Sequence, residues 1–260
     1  MASWKRARTD RQTVPGLVVS MTTFPDRNRL AKKALLSIAC QSISPERTVL
    51  VLSRTQYCEA RLPRPLRSLQ GVEILWTDND LGSYKKLIPT AQRYPFATIV
   101  TVDDDFWYHS NMLAQLIEAT SRFPEHIVGH RARRLEIDSG RLLGYETWPL
   151  ANTRTSPSRV FITTGGGTAF PPSATRCSDL TDAVRASASC PTADDVWFWA
   201  ASIACGIPSI CISDEFPATP LAKRPGRPTL FSINTSLAGN DYQLARAIGE
   251  LGIRIEALEV

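Results

Sequence analysis

Three consecutive aspartates, Asp103, Asp104 and Asp105, follow the apolar run 98–102 and have the clearest capacity for chemistry in this sequence. Adjacent carboxylates repel one another, and a bound cation relieves that repulsion. Carboxylate oxygens suit Mg²⁺ or Mn²⁺, and these ions also bridge to substrate phosphates. In an extended chain, Asp103 and Asp105 project to one side and Asp104 to the other. The triplet therefore indicates a divalent-metal site, and a polar turn before the next helix is the alternative.

A second polar cluster follows the predicted strand 72–76 and contains Asp80, Lys85 and Lys86. The carboxyl ends of parallel strands meet at one sheet edge, where ligands of open α/β sheets bind. Either lysine has the reach to pair with a diphosphate as a point charge. The alternative is a turn followed by a helix start, with both lysines in solvent.

Asp194 and Asp195 begin the apolar run 193–205, which has helical spacing. One interpretation makes a carboxylate here a general base that takes a proton from a hydroxyl. The other is a capping box, with Thr192 as the cap and Asp195 at the third helical position. Neighbouring side chains diverge by about 100° on a helix, so one aspartate can cap while the other faces a cleft. The helix N-terminus favours the ionised carboxylate.

In the first half of the chain, stretches with the residue pattern of a strand alternate with stretches that have the pattern of a helix, and these elements must position the residues above. Apolar runs predict buried strands, and residues at helical spacing predict helices between them, with Pro89 expected to kink or end the second helix. This alternation predicts an α/β fold with a doubly wound, mostly parallel sheet. The strands are predicted at 17–21, 48–52, 72–76 and 98–102, and the helices at 28–40, 83–94 and 111–123.

The second half of the chain is less regular. We expect a strand at 159–164 that ends in a glycine turn at 165–167, a strand at 209–213 and a final helix at 241–251. The proline-rich stretch 214–240 has the composition of a loop or lid. No linker is evident, so we expect one domain over 17–260, with a nucleotide- and metal-binding lobe (17–125) and an acceptor-binding lobe (126–260).

Composition narrows the class of protein. The 260 residues carry 30 Lys and Arg against 25 Asp and Glu, and 43% are apolar, which is typical of a globular protein. No apolar run approaches the length of a membrane span, and residues 1–16 are basic without a signal-peptide core, so we expect a cytoplasmic protein. This arm is either a solvated terminus or a peripheral contact with anionic lipid at the inner face of the membrane. Nucleic acid is not expected as a partner.

The six cysteines lie apart in the sequence and form no C-x-x-C pair. Neither a zinc site nor a redox motif is indicated. We therefore expect reduced thiols, most of them buried. The cysteines are Cys40, Cys58, Cys177, Cys190, Cys205 and Cys211.

Taken in order, the motifs resemble the GT-A fold nucleotide-sugar glycosyltransferases of the family 2-like kind, especially bacterial proteins that build surface polysaccharides. The similarity covers most of residues 17–250. It rests on V-V-S-M-T-T-F-P-D-R (18–27), D-N-D-L-G-S-Y-K-K-L-I-P (78–89), I-V-T-V-D-D-D-F-W-Y (99–108), G-H-R-A-R-R (129–134), T-G-G-G-T-A-F-P-P (164–172), P-T-A-D-D-V-W-F (191–198) and N-D-Y-Q-L (240–244).

The resemblance implies a Mn²⁺ or Mg²⁺ cofactor, a nucleotide-sugar donor (UDP-linked) and a saccharide or lipid-linked saccharide acceptor. Asp195 would be the catalytic base, with Asp194 as second choice, and Asp105 the main metal ligand beside Asp103. No late histidine is present to complete the metal site, so Asn240, Asp241 or water would do so; a helix N-cap is the alternative for that pair. The implied nucleotide-sugar contacts are Thr22, Thr23, Asp80, Lys85, Asp103, Asp104, Gly166 and Gly167.

The acceptor side is less specific. His130 and Arg131 are expected to bind acceptor or diphosphate, or else to cap a strand. Trp197 is expected either to wall the acceptor pocket or to lie in the core. Two rival functions remain open: a nucleotidyltransferase of related fold, and a carbohydrate-binding or scaffold protein without turnover.

Overall fold

A computed structural model describes residues 11–221 and 239–258. The strands are β1 (Thr13–Thr22), β2 (Ser44–Ser53), β3 (Glu73–Thr77), β4 (Thr98–Val102), β5 (Phe106–Tyr108), β6 (Ile127–Gly129), β7 (Ala132–Arg134), β8 (Ile137–Asp138), β9 (Arg141–Leu142), β10 (Val160–Ile162), β11 (Gly166–Phe170), β12 (Ser209–Cys211) and β13 (Ala218–Pro220). The helices are α1 (Asn28–Ala39), α2 (Arg64–Arg67), α3 (Ile88–Arg93), α4 (Met112–Arg122), α5 (Pro172–Thr175), α6 (Ser178–Thr181), α7 (Ala183–Ser189), α8 (Asp194–Ala204) and α9 (Gly239–Leu251).

A seven-stranded sheet of order β12-β6-β11-β4-β1-β2-β3 forms the centre of the fold. Strand β1 pairs in parallel with both β2 and β4, and β3 and β12 also pair in parallel with their neighbours. Only β11 runs antiparallel, between β4 and β6. The predicted mostly parallel α/β sheet is therefore confirmed.

Alternate residues of β1 enter two separate hydrophobic cores, which shows that the sheet is covered on both faces. Val18 belongs to a core that includes Trp197 of α8 and Leu244 of α9. Leu17 and Val19 belong to the other core, where α1 and α4 pack. Burial on both faces explains why the strand sequences are almost continuously apolar.

Several element boundaries differ from the predictions. Strand β1 begins at Thr13, inside the segment predicted as a flexible arm, and residues 1–10 lie outside the described part of the chain. Pro89 does not kink a helix. It occupies the first turn of α3, where its missing N–H has no intrahelical partner to lose, and the preceding residues 82–86 form a separate 3₁₀ helix.

The predicted glycine turn at 165–167 is correct for Gly165 alone, which lies in a turn with Thr164. Gly166 and Gly167 belong to β11, which inserts antiparallel between two sheet strands. A half-buried strand is normally recognised by alternating apolar and polar residues. Small residues such as glycine and alanine are neither, so the sequence of this strand shows no such alternation. The predicted lid at 214–240 contains β13, paired with β5, and the start of α9; residues 222–238 of that prediction lie outside the described residues.

The expectation of reduced, mostly buried cysteines is also wrong. Cys177 and Cys205 form a disulfide that joins the residue before α6 to the C-terminal end of α8. Cys40 and Cys58 are exposed, and only Cys190 and Cys211 are buried free thiols. Sequence spacing could not show this pair, because the two cysteines are 28 positions apart and meet only in the folded chain. No helix in the described ranges is both long and apolar enough to cross a membrane.

Candidate functional site

The candidate site lies at the edge of the sheet where β1 and β4 end. Met21 of β1 is directly opposite Val102 of β4, so the residues that follow the two strands meet. The Thr23 hydroxyl donates a hydrogen bond to Oδ2 of Asp104 at 2.6 Å, and both side chains are buried. The predicted nucleotide-binding residues Thr23 and Asp104 are thus brought together, with Asp104 as a structural anchor for the acidic triplet.

Arg27, the residue just before α1, is the main counter-ion of the triplet. Its Nη1 lies 2.8 Å from Oδ1 of Asp104 and 2.9 Å from Oδ2 of Asp105. Burial, followed by the charge of Asp103, raises the pKa of Asp105 to about 6 even with this guanidinium present. Arg27 therefore compensates the triplet only in part.

Lys86 connects this edge to helix α8. Its ammonium group lies 3.0 Å from Oδ1 of Asp103 and 3.1 Å from Oδ2 of Asp194, and the residue is 4% exposed. The Thr164 hydroxyl donates a further hydrogen bond to Oδ2 of Asp194 at 3.1 Å. One buried cation thus fixes an aspartate of the acidic triplet relative to an aspartate of the predicted base region.

The backbone around Asp103 is held by Tyr108 of β5. The Tyr108 hydroxyl donates to the Gly165 carbonyl oxygen at 2.6 Å and accepts from the Asp103 N–H at 2.7 Å. The Asp103 carboxylate rests against Gly165, where a Cβ atom would lie 1.6 Å from Oδ2 of Asp103. Glycine is therefore required at 165 to make room for the aspartate itself.

Replacing Gly165 by alanine is expected to displace the Asp103 carboxylate. Because the added methyl group would overlap Oδ2, we expect Mn²⁺-dependent UDP affinity to fall by roughly tenfold or more, which corresponds to about 1.4 kcal/mol. Isothermal titration of UDP in the presence of Mn²⁺ measures the change. Gly249→Ala is the matched control, since a Cβ atom at this position in α9 meets no atom within 4 Å. Unchanged affinity in Gly165→Ala would contradict a binding role for Asp103.

Asp195 is half-buried in the first turn of α8. Burial, and then the negative charge of Asp194, raises the pKa of Asp195 to about 7, while Lys86 opposes the shift. The helix N-terminus was expected to keep this group ionised, but that effect amounts to only about 0.3–1 kcal/mol and burial outweighs it. A carboxylate with a pKa near neutrality suits a general base.

The capping-box interpretation of this segment is wrong. The N-cap of α8 is Ala193, which makes no side-chain capping bond. Thr192 is instead bonded to the side chain of Gln243 in α9, whose Oε1 also accepts the backbone N–H of Ala193 at 3.1 Å. A side chain from another helix therefore holds the two residues that precede α8, and within the first turn Oδ1 of Asp195 accepts the N–H of Val196 at 3.1 Å.

The charges of the site fit a divalent cation. Among the residues that the structure describes, five carboxylates interact with two buried or half-buried cations, Arg27 and Lys86. Asp103 and Asp105 are partly exposed and would hold the ion, with water and diphosphate oxygens as further ligands, as Mg²⁺ sites commonly have. Within the described ranges, the only group of three close ligand atoms is Cys177, Asp179 and Cys205, away from this edge and containing the disulfide. The carboxylates are Asp103, Asp104, Asp105, Asp194 and Asp195.

Other predicted donor-side residues make different contacts. The Lys85 ammonium is buried against Asp80 and Gln56, so it serves as the partner of Asp80, and Lys86 is the lysine that reaches the acidic cluster. The Asp80 carboxylate also accepts the N–H of Gly82 at 3.0 Å. The Thr22 hydroxyl donates to a β2 carbonyl oxygen at 2.9 Å.

Of the predicted acceptor-side residues, only Arg131 is exposed. Its guanidinium lies 5.5 Å from the ring centre of Phe216. Trp197 is fully buried, with Nε1 donating to the Asp179 carbonyl oxygen, so the core interpretation is correct. His130 is 3% exposed with Nε2 3.3 Å from the Met112 carbonyl oxygen, and burial lowers its pKa to about 4.

The residues considered for completing the metal site lie elsewhere. The Asp241 carboxylate accepts the N–H of Tyr145 at 2.7 Å, and Asn240 is buried at the start of α9. Gly166 and Gly167 pack against protein atoms: a Cβ atom would lie 2.9 Å from Cβ of Arg131 at the first and 3.0 Å from Sδ of Met112 at the second. Their small size therefore serves packing of β11.

Four residues of the site had no assigned role in the sequence. Arg27 ends the motif 18–27, and an arginine four residues after the hydroxyl of Thr23 is a local signal for it. The others make contacts between distant segments, which no local pattern reveals. The four are Arg27, Tyr108, Thr164 and Gln243.

The mostly parallel sheet, with β11 as its one antiparallel strand, and the helices that flank it form an α/β fold of the GT-A-like kind. No family model and no curated protein matches the sequence. The structure is similar to the crystal structure of S. aureus TarS 1-349, with a TM-score of 0.50 and 14% identity, covering 89% of this chain and 70% of that chain. It is also similar to the crystal structure of 4-diphosphocytidyl-2C-methyl-D-erythritol synthase, with a TM-score of 0.47 and 13% identity, covering 82% and 94% respectively. The first protein is a glycosyltransferase and the second a nucleotidyltransferase. At these identities the similarity shows the fold alone.

Proposed function

We propose that this protein is a metal-dependent glycosyltransferase that moves a sugar from a nucleoside-diphosphate donor, UDP-linked, to a hydroxyl of a saccharide or lipid-linked saccharide acceptor. The observation that carries the proposal is that the Lys86 ammonium group pairs with both Asp103 and Asp194 and so holds the two groups of carboxylates next to each other. Asp103 and Asp105 form a partly exposed acidic edge, and Asp194 and Asp195 begin a helix opposite it. The similarity to TarS in fold is consistent with this proposal.

On the donor side, Asp103 and Asp105 would hold Mn²⁺ or Mg²⁺. When bound, this ion neutralises the negative charge that builds on the departing diphosphate. Arg27 and Thr23 fix Asp104, and Tyr108 fixes the backbone of Asp103, so the acidic edge is oriented before a ligand arrives. Orientation in advance lowers the cost of binding and reaction.

On the acceptor side, Asp195 would take the proton from the attacking hydroxyl. Its raised pKa lets it hold that proton at neutral pH, which an ordinary aspartate does poorly. Asp194 is the weaker candidate, because its Oδ2 is already bonded to Lys86 and Thr164. A base beside the attacking hydroxyl favours a single displacement with inversion at the anomeric carbon.

A screen of common sugar nucleotides tests the proposal. In the presence of Mn²⁺, at least one UDP-sugar is expected to release UDP slowly, with water in place of the acceptor, and EDTA is expected to stop the release. NMR of the released or transferred sugar reports the anomeric configuration, and retention would contradict Asp195 as a direct-displacement base. Pyrophosphate release from a nucleoside triphosphate would instead identify a nucleotidyltransferase. Sugar binding with no response to UDP or Mn²⁺ would identify a non-catalytic binder.

A further inference from the structure

Helix α1 presents a basic stripe to solvent. Its buried face consists of Ala31, Ala34, Leu35 and Ile38, which pack on the sheet. Its other face carries three cations within an arc of roughly 100°, because residues three and four apart lie one above the other on a helix. These cations are Arg29, Lys32 and Lys33.

A second basic segment lies beside this stripe. Arg61 ends a short 3₁₀ helix, and Arg64 and Arg67 belong to α2; all three are exposed. The Lys32 ammonium donates to the Ser68 hydroxyl at 2.8 Å, which fixes α1 against this segment. We call the six residues Arg29, Lys32, Lys33, Arg61, Arg64 and Arg67 the basic face.

The charge of the basic face is uncompensated. Residues 28–45 and 60–72 contain no aspartate or glutamate. Within residues 11–221 and 239–258, no ion pair involves any of the six cations. Their combined charge exceeds the net charge of the whole chain, +5, so the rest of the protein is close to neutral. An excess of positive charge concentrated on one face attracts an anionic partner to that face.

We infer that the basic face docks the protein on an anionic lipid surface. Two half-buried aliphatic side chains of α1, Leu30 and Leu36, lie among the cations, as on helices that rest on a bilayer interface. The two segments contain no aromatic residue, so they lack the stacking surfaces that single-stranded nucleic acid uses. This inference does not depend on the proposed glycosyl transfer.

The basic face lies next to the candidate site along the chain. Arg27, which pairs with the acidic edge of the site, immediately precedes α1. At the other end of α1, Nη1 of Arg11 donates to the Ala39 carbonyl oxygen at 2.6 Å, and the ten residues before Arg11 add Lys5, Arg6 and Arg8 to the sequence. Docking would therefore hold the candidate site close to the lipid headgroups.

Sedimentation with lipid vesicles tests the inference. The full chain is expected to bind vesicles containing about 30% phosphatidylglycerol in phosphatidylcholine and to lose this binding as salt rises from about 0.05 M to 0.3 M. Each basic residue near an anionic membrane contributes roughly fivefold. The variant Arg61→Gln/Arg64→Gln/Arg67→Gln is therefore expected to lower the partition coefficient by roughly 100-fold.

The matched control removes the same charge elsewhere. Arg141→Gln/Arg154→Gln/Arg254→Gln replaces three exposed arginines outside the basic face, and its binding is expected to stay within about threefold of the unchanged chain. Equal losses in both triple variants would show that net charge alone drives binding and would overturn the inference. So would binding to pure phosphatidylcholine, no binding to either vesicle, or tighter binding to duplex DNA with the same dependence on the three arginines. Melting temperatures establish that both variants fold.

Discussion

Replacing Asp195 by asparagine is expected to lower turnover by two or more orders of magnitude while leaving Mn²⁺-dependent UDP binding within about threefold of the unchanged protein. General-base catalysis contributes typically about 10²–10⁴-fold, and asparagine cannot accept the proton. Steady-state UDP release with the best donor from the nucleotide screen measures turnover, and UDP titration measures binding. In the unchanged protein, turnover is expected to rise as pH increases through about 7, where Asp195 ionises.

The same substitution separates catalysis from stability. The folded protein retains a proton on Asp195 up to about pH 7, whereas the unfolded chain releases it near the ordinary value of 3.8, so the free energy of unfolding falls as pH rises between these values. Asparagine does not ionise, so in the variant this fall in the free energy of unfolding does not occur. We expect Asp195→Asn to be more stable than the unchanged protein at pH 8, by roughly 2 kcal/mol, and similar to it below pH 4. Lower stability together with normal turnover would show that Asp195 has a structural role only.

Replacing Asp105 by asparagine is expected to abolish the stabilisation that UDP and Mn²⁺ provide together. At a ligand concentration 100 times Kd, this stabilisation amounts to about 2.7 kcal/mol in the unchanged protein. The Asp105 side chain is 30% exposed, and Arg27 keeps its bond to Asp104, so the fold is expected to survive. Thermal melting with and without UDP, Mn²⁺ and EDTA measures the effect.

Asp78→Asn is the matched control for this experiment. It removes one carboxylate from the same sheet edge, but the Asp78 side chain is 92% exposed, and its ion-pair partner within the described part of the chain is Arg54. Full stabilisation by UDP and Mn²⁺ is expected in this variant. If Asp105→Asn also retains it, Asp105 is not a metal ligand and the acidic triplet serves the fold.

The sheet and the location of the site could be predicted because both depend on local patterns. Buried parallel strands are continuously apolar, and polar residues that follow such strands must gather at one edge. Thr23 and Asp104 meet for this reason, although they are 81 residues apart. Strand β11 could not be predicted in the same way, because its glycines serve close packing against Arg131 and Met112, and that demand exists only in three dimensions.

Side-chain direction was the main limit at the site. Lys85 and Lys86 are adjacent and chemically identical, so the sequence cannot show which one faces the acidic edge; the 3₁₀ helix turns Lys86 toward Asp103 and Lys85 toward Asp80. Trp197 and His130 have residue types that bind sugars or phosphates, yet both are buried. The pKa of Asp195 was expected to follow the helix terminus, but it depends on the neighbouring Asp194 and on burial.

The sharing of one ammonium group by Asp103 and Asp194 has an evolutionary consequence. Lys86 and Asp194 are buried, so removing either one leaves the other as a buried charge without its partner, a loss that typically costs about 3–5 kcal/mol. Removing the partly exposed Asp103 takes away one of the two carboxylate partners of Lys86. Selection should therefore not tolerate stepwise replacement at these three positions. Relatives of this chain are expected to keep Lys86, Asp103 and Asp194 together or to have exchanged them as a set, so that covariation among the three would trace the lineage of this site.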